Sequence, residues 1–392
     1  MPLHEPIIGL PDFKIISTNG TNLIEIEAMY IGPIKCPRCQ SSNLRKKDSI
    51  IRQLKHHSIG ISRCMLMVKT NKFYCRSCRR YFNQRLPGVQ PYQRATEPFK
   101  DQVALRHHGG TSLRKAAIDL GLGAATVERY YKSYLEANAN EHKNASCPKV
   151  LGIDEKHFTK KLGYMTTFAD LKRHKVFDVT LGRSESSLRD YVTKIPNRDN
   201  CKVVVMDLCE PFRNVAKAHF PKALIVADRF HVVKLINHHF LKTWAELDDV
   251  GRKHRGLLSL MRRHAWSPMK DSSRENLRKY FAENPAVGAI YDFKQDLMKL
   301  ILSRVYSKHD AKPLIREFLN KIQALKESKF QNLITLGNTL DAWQEEIVRM
   351  WRFSKTNSIT EGLHRRMDEI LNRAYGMRNF NNFRIRVKAF CG

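Results

Sequence analysis

Three apolar runs in this chain each lead into an aspartate. Val150-Leu151-Gly152-Ile153 precedes Asp154, Val203-Val204-Val205-Met206 precedes Asp207, and Ala223-Leu224-Ile225-Val226-Ala227 precedes Asp228. Such runs read as buried strands of a parallel sheet. In an open α/β sheet, ligands gather at the carboxyl ends of the strands, so an acid there is a site candidate. The competing reading for any one of them is a helix N-cap or a surface acid. Three together favour a site, and His231 follows Asp228 at helical spacing. Clustered carboxylates suit hard divalent cations, and two such cations about 4 Å apart activate a nucleophile and stabilise a leaving oxygen at a phosphodiester.

A second group of residues suits different chemistry. Cys36-Pro37-Arg38-Cys39 and Cys75-Arg76-Ser77-Cys78 are two C-x-x-C pairs. Two thiolates on one tight turn fill two positions of a tetrahedral zinc, and the second pair completes a closed structural site. The long gap between the pairs predicts a β-hairpin, with Leu66-Met67-Val68 on one of its strands. The chain has nine cysteines. An odd number without a secretion signal points to metal and free thiols, not to a disulfide framework.

Composition narrows the partners. The net charge is +31, from 69 basic and 38 acidic residues among 392. An excess of this size points to a polyanionic partner, and nucleic acid is the usual one. A membrane partner is not expected, because no apolar stretch approaches the roughly 18 residues of a spanning helix. The N-terminus lacks a charged region followed by an apolar core. The sequence therefore reads as soluble and intracellular. It contains no phosphate-binding G-x-x-x-x-G-K-[ST] loop, which argues against an ATPase or helicase.

The elements that must position these residues follow in chain order. A strand is expected over 23–27, and the zinc module with it fills 1–86. Pro87, Gly88 and Pro91 mark a linker. Residues 97–136 read as helical within a domain spanning 92–140. Inside it, 112–131 reads as helix, glycine-containing turn, helix, with Ala116, Ala117 and Leu120 facing Val127 and Tyr130. This is the helix-turn-helix pattern, whose second helix enters the DNA major groove; a plain αα-hairpin shares it. On the DNA-binding reading Ala125, Thr126, Arg129 and Lys132 face the duplex. A second linker is expected over 137–147.

From 148 to 231 the pattern is β-β-β-α-β-α-β. Strands are expected over 150–154, 164–169 and 176–181, then a short helix capped by Ser184, the Asp207 strand, a helix over 210–219 and the Asp228 strand. This order fits a mixed sheet of ribonuclease-H type. From 232 to 350 the pattern is helical throughout, with examples at 287–305 and 339–351, and reads as an inserted all-helical domain. The last part, 351–392, returns to the sheet through a polar loop and a helix carrying Glu361. It ends in a basic aromatic tail that includes Arg378, Phe380, Phe383, Arg384 and Arg386. A ribonuclease-H sheet supplies acids from its first strand, its fourth strand and a later helix, and Asp154, Asp207 and Glu361 match those places. Rivals exist. Asp228 also ends a strand, Glu155 alternates to the other face, and Asp170, Asp178, Glu345, Glu346 and Glu369 read as surface acids. Trp244, Trp266, Trp343 and Trp351 include candidates to stack on an unpaired base, although core packing is the usual role of Trp in a helix.

The ordered set of motifs resembles bacterial insertion-sequence transposases of the DDE class, and most of all the ISL-three (ISL3) family. The resemblance rests on the double C-x-x-C module, the helix-turn-helix, Gly152-Ile153-Asp154-Glu155 and Val205-Met206-Asp207. It continues through Ala227-Asp228-Arg229-Phe230-His231, the stretch from Thr356-Asn357 to Glu361-Gly362, and Tyr375-Gly376-Met377-Arg378-Asn379-Phe380. It implies that Asp154, Asp207 and Glu361 bind Mg²⁺ or Mn²⁺ and that Asp228 and His231 form an accessory D-x-x-H motif. It also implies a bacterial cytoplasmic, nucleoid-associated protein that acts on double-stranded DNA, with recognition of terminal inverted repeats, strand cleavage and strand transfer, and a homodimer or larger assembly on DNA. A catalytically inactive DNA-binding regulator and a metal-dependent nuclease are the alternatives.

Overall fold

The structure is a computed structural model that describes residues 8–140, 145–264, 269–305, 307–353, 358–374, 377 and 379–392. The chain divides into two compact units. One consists of Met1–Asn138 and Arg373–Gly376, the other of Ala139–Asn372 and Met377–Gly392.

In the first unit five strands form one sheet: β1 (Phe13–Asn19), β2 (Leu23–Tyr30), β3 (Leu44–Ile59), β4 (Ser62–Cys75) and β5 (Arg80–Asn83). The order is β1-β2-β4-β3, with β5 also on β4. The hairpin expected between the cysteine pairs is β3 and β4, turned at Gly60 with φ 59°. Along β4, Cys64, Leu66, Val68 and Thr70 alternate inward, the period of a sheet with one covered face. Cys64, Leu66 and Val68 meet Phe13, Ile26, Ala28 and Leu54 in a small core. Strand β1 was not legible, because Ile15 and Ile16 are followed by a polar run that carries no alternation.

Three helices follow: α1 (Glu97–His108), α2 (Leu113–Leu120) and α3 (Ala124–Asn140). Thr96 and Ser112 cap the first two through side-chain oxygens, as N-cap residues do. Gly121 ends α2 in the left-handed region at φ 62°, where glycine pays no steric cost. Ala116, Ala117, Leu120 and Val127 pack together with Tyr130 at their edge, as the sequence predicted. Helix α3 runs into the stretch expected to be a linker.

The second unit is built on a mixed sheet. Its strands are β6 (Val150–Thr159), β7 (Gly163–Asp170), β8 (Lys175–Leu181), β9 (Val203–Met206) and β10 (Leu224–Ala227). Helices α4 (Glu185–Val192) and α5 (Glu210–His219) alternate with the later strands. The strand order is β10-β9-β6-β7-β8. β6, β9 and β10 are parallel, and β7 and β8 are antiparallel. All four residues of β9 are buried, because a central parallel strand is covered on both faces. The expected element order holds, with one change: β6 does not stop at Asp154 but runs on through it to Thr159. The antiparallel partner β7 holds it extended, pairing Asp154 with Thr167 and Lys156 with Met165.

After β10 come α6 (Arg229–Leu247), α7 (Asp249–Lys253), α8 (Arg255–Arg262), α9 (Asp271–Glu283), α10 (Pro285–Leu302), α11 (Lys308–Lys326), α12 (Gln331–Ala342) and α13 (Gln344–Met350). The helix expected over 339–351 is broken at Trp343, whose backbone leaves the helical region at φ −112°. The break turns α13 onto β10. It also lets Glu346 meet Arg213 at 2.9 Å and seats the Arg213 guanidinium 4.4 Å from the Trp343 ring. The last two helices are α14 (Ser358–Arg373) and α15 (Phe380–Cys391), so the basic aromatic tail is helical from Phe380 on, and α15 packs on β8.

Three acids expected at the surface are buried instead. Asp170 accepts the Lys172 and Arg173 amides of a tight turn. Asp178 takes a bidentate pair from Arg384 at 2.7 and 2.6 Å. Glu346 is 1% exposed. Each is satisfied by a partner far along the chain or by turn amides, which local sequence does not display.

Candidate functional site

Asp154 and Asp207 sit on adjacent parallel strands, where Ile153 pairs with Met206. The register carries the two carboxylates to one end of the sheet. His231, on the first turn of α6, joins them: ligand atoms of Asp154, Asp207 and His231 all lie within 4.8 Å of one another. His231 Nε2 is 3.1 Å from Asp207 Oδ1 and 3.7 Å from Asp228 Oδ2. The Asp207 contact is close but not aligned as a hydrogen bond, so Oδ1 is a buried carboxylate oxygen that accepts none. A buried oxygen left in this state, facing a second carboxylate and an imidazole, fits a cation site.

The electrostatics agree. Burial, and then the charges of Asp154 and Asp228, push Asp207 up to about 10. Burial pushes Asp154 up to about 6. Like charges held this close share a proton unless a cation replaces it. Burial lowers His231 to about 4, so at neutral pH the imidazole is uncharged and has a lone pair to offer.

Asp207 and Asp228 differ in what their carboxylates touch. Asp228 caps α6, its Oδ1 accepting the Phe230 amide, while its other oxygen faces His231. Asp207 caps nothing: the N-cap of α5 is Cys209, with no side-chain bond. Glu155 alternates away and pairs with Arg183 at 3.0 Å.

Glu361 lies in the first turn of α14, but its side chain is 57% exposed and pairs with Arg365 at 3.4 Å. The structure does not bring it into the Asp154–Asp207–His231 group. What α14 presents instead is His364, on the same helix face three residues later. Its Nδ1 lies 3.8 Å from Asp154 Oδ2, and its Nε2 is 3.0 Å from the Thr167 hydroxyl. One turn further, Asp368 pairs with Lys156 at 2.9 Å. Sequence reasoning missed His364. Its signal was the i, i+3 spacing to Glu361. Thr356 and Asn357, and Tyr375, Gly376 and Arg378 of the last motif, lie outside the described residues.

The four cysteines of the first unit also converge. Cys36 Sγ is 3.6 Å from Cys78 Sγ, and Cys39 Sγ is 3.5 Å from Cys75 Sγ. A tetrahedron with metal–sulfur bonds of about 2.3 Å has edges of about 3.8 Å, so the donor set fits zinc. Cys36 and Cys39 occupy a turn closed by the Gln40 amide on the Cys36 carbonyl, and Cys75 ends β4. The Cys39 backbone amide holds the Cys36 thiol down to about 6.

On α3, Ala125, Arg129 and Lys132 are exposed, and Thr126 is half-buried. Trp244, Trp343 and Trp351 are core residues, at most 4% exposed, and Trp266 lies outside the described residues. An exposed aromatic beside the acid group is Phe230, whose ring is 5.4 Å from that of His231. Among the described residues no helix is long and apolar enough to cross a membrane.

Comparison with known proteins places this geometry in a family. The family model of ISL3 transposases, described as "Transposase", matches residues 151–387. A second, described as the zinc-finger of transposase IS204/IS1001/IS1096/IS1165, matches residues 32–78. A curated relative, "Transposase for insertion sequence element IS1001" of Bordetella parapertussis, is 23% identical over 379 residues, which is 92% of this chain and 91% of the relative. The zinc-ribbon match falls on the cysteine cluster, and the transposase match takes in the strands bearing Asp154 and Asp207 together with α14. The chain belongs to the ISL3 family of insertion-sequence transposases.

Proposed function

We propose that this chain binds the terminal inverted repeats of an insertion sequence and catalyses metal-dependent cleavage of its ends and their transfer into target DNA. The observation that carries the reading is the buried pair Asp154 and Asp207, with neutral His231, just past the point where the parallel pairing of β6 with β9 ends. The strand order, with an acid on the first strand and one after the fourth, supports a ribonuclease-H-like catalytic domain interrupted by the helices α6–α13. Asp154, Asp207 and Glu361 are the metal-binding acids. Bound Mg²⁺ or Mn²⁺ would supply an activated water and charge stabilisation at the leaving oxygen.

The protein's own residues do the rest. The strands hold Asp154 and Asp207 rigidly, and burial strengthens their interaction with a cation. Asp228 caps α6 and so fixes the turn from which His231 approaches Asp207. Glu361, which pairs with Arg365 in this structure, would join them from the first turn of α14, the helix whose His364 faces Asp154. In the first unit, zinc holds the cysteine turns, and α3 lays Ala125, Thr126, Arg129 and Lys132 on the terminal repeat as the second helix of a helix-turn-helix. Two ends are joined in transposition, so a homodimer or larger assembly forms on DNA.

The test is incubation with labelled element ends, a target plasmid and Mg²⁺. Wild type should give joined product. Asp207→Asn should bind the ends and leave them uncut. Cut but unjoined ends from the wild type would make it a nuclease. Binding without any cut by the wild type would make it a regulator. Full cleavage by Asp207→Asn would remove the acid pair from the mechanism.

A further inference from the structure

His364 is absent from the acid triad, yet it is held as metal-binding histidines are held. Such a residue bonds through one ring nitrogen to a neighbour, which fixes ring orientation, and presents the other nitrogen to the metal. Here Nε2 is tied to the Thr167 hydroxyl at 3.0 Å, and Nδ1 faces Asp154 Oδ2 at 3.8 Å. Thr167 is fully buried and is the cross-strand partner of Asp154, so the sheet register places anchor and carboxylate side by side. The pair Lys156–Asp368, two residues on along β6 and four on along α14, locks the same register. Two residues of strand and one turn of helix advance by nearly equal lengths, about 6 Å, so the two contacts reinforce each other.

Asp154 therefore stands between two imidazoles. His231 lies with Asp207 in the group described above, and His364 faces Asp154 from α14. We infer that His364 is a ligand of a second divalent cation, shared with Asp154 and with Glu361 from the preceding turn of the same helix. This inference rests on the metal-dependent reading of the acid pair. It assigns α14 two ligands instead of one. An imidazole in that set shifts preference from Mg²⁺ towards Mn²⁺ and later transition metals.

The experiment is Mn²⁺ binding to the full zinc-loaded chain, read by electron paramagnetic resonance for stoichiometry and by spin-echo modulation for directly bound imidazole nitrogen. Wild type should bind two Mn²⁺ with imidazole modulation. His231→Ala should retain modulation, and adding His364→Ala should abolish it. His364→Ala alone should weaken the second Mn²⁺ at least about tenfold, and Thr167→Val should weaken it by roughly ten- to a hundredfold, as loss of an outer-shell anchor does. His364→Asn keeps a polar side chain of similar reach and carries the test if the alanine variant is unstable; in the His231→Ala background it should lose the same nitrogen signal. Unchanged stoichiometry in the single His364 variants and modulation that survives in the His231→Ala, His364→Ala double variant, with Asp207→Asn impaired, would overturn the role of His364 alone. Unchanged Mn²⁺ binding in Asp207→Asn would overturn the metal-dependent reading beneath it.

Discussion

At the scale of single residues, Asp207 and Asp228 both follow buried strands, and Asp228 is the one that caps a helix. Its Oδ1 accepts the Phe230 amide, and its burial is complete enough that loss of the cap must be felt. Asp228→Ala should lower stability by about 1 kcal/mol, the usual value of an N-cap, while Asp228→Asn should keep it because asparagine caps equally well. Both variants should retain Mn²⁺ binding that Asp207→Asn loses; loss of binding in Asp228→Asn, with its fold intact by circular dichroism, would make Asp228 a ligand. Asp207 and Asp154 were legible because each follows an apolar run that only a buried strand explains. His364 was not, because its meaning comes from Thr167 and Asp154, each about two hundred positions away in the chain and brought together only by the docking of α14 on β6. Glu346 was misjudged for the same reason, since its partner Arg213 belongs to α5.

At the scale of elements, the helices inserted after β10 return to the sheet through one clamp. Arg213 donates to both Glu346 oxygens at 2.9 and 3.1 Å and to the Ala342 carbonyl, and it stacks on Trp343. Beside it, Arg229 donates to the Met350 carbonyl and Arg349 reaches the Ile225 carbonyl. Arg213→Met would leave the Glu346 carboxylate buried with no counter-ion, at a cost of about 3–5 kcal/mol in urea denaturation. Adding Glu346→Gln should recover much of that loss; no recovery would mean that Arg213 acts through packing on Trp343. The helical region was legible as helices, but the break at Trp343 was not, because the pattern over 339–351 is continuous and only the pull of α5 and β10 bends it. A second element carries a pH signature. Lys294 on α10 is 2% exposed and donates to the Met261 and Arg263 carbonyls at the end of α8. Burial lowers it to about 8 from the ordinary 10.5. Between those values the unfolded chain holds more protons than the folded one, so this lysine's contribution to stability rises with pH from about 8 to about 10.5 and is flat below 8. The melting temperature of wild type minus that of Lys294→Met should rise across that window; a constant difference would show that Lys294 titrates as in the unfolded chain.

At the scale of the whole molecule, the two groups of side chains that could hold a metal fall in different units, the four cysteines in one and Asp154, Asp207 and His231 in the other. The +31 charge made nucleic acid the expected partner, and the cysteine spacing made zinc the expected staple, before any fold was known. Strand β1 and the run of β6 beyond Asp154 needed the structure, because sheet neighbours and not local pattern decide them. The core around Phe13, Ile26, Leu54 and Leu66 is small, and the cysteine turns lie at the far end of the β3–β4 hairpin from Gly60, so those turns depend on the metal for their shape. The second unit has a far larger core, from Leu151 to Cys391, and no thiolate cluster among its described residues. A zinc-selective chelator should therefore abolish one unfolding transition in calorimetry and leave the larger one in place. Binding to the element ends should fall with it, while Mn²⁺ binding at Asp154 and Asp207 should persist after the chelator is removed. What DNA binding remains should be nonspecific and should weaken steeply with salt, since it would rest on phosphate contacts alone. Collapse of both transitions together, or loss of Mn²⁺ binding along with zinc, would show that the ribbon is needed to fold the acid site and not only to find the DNA.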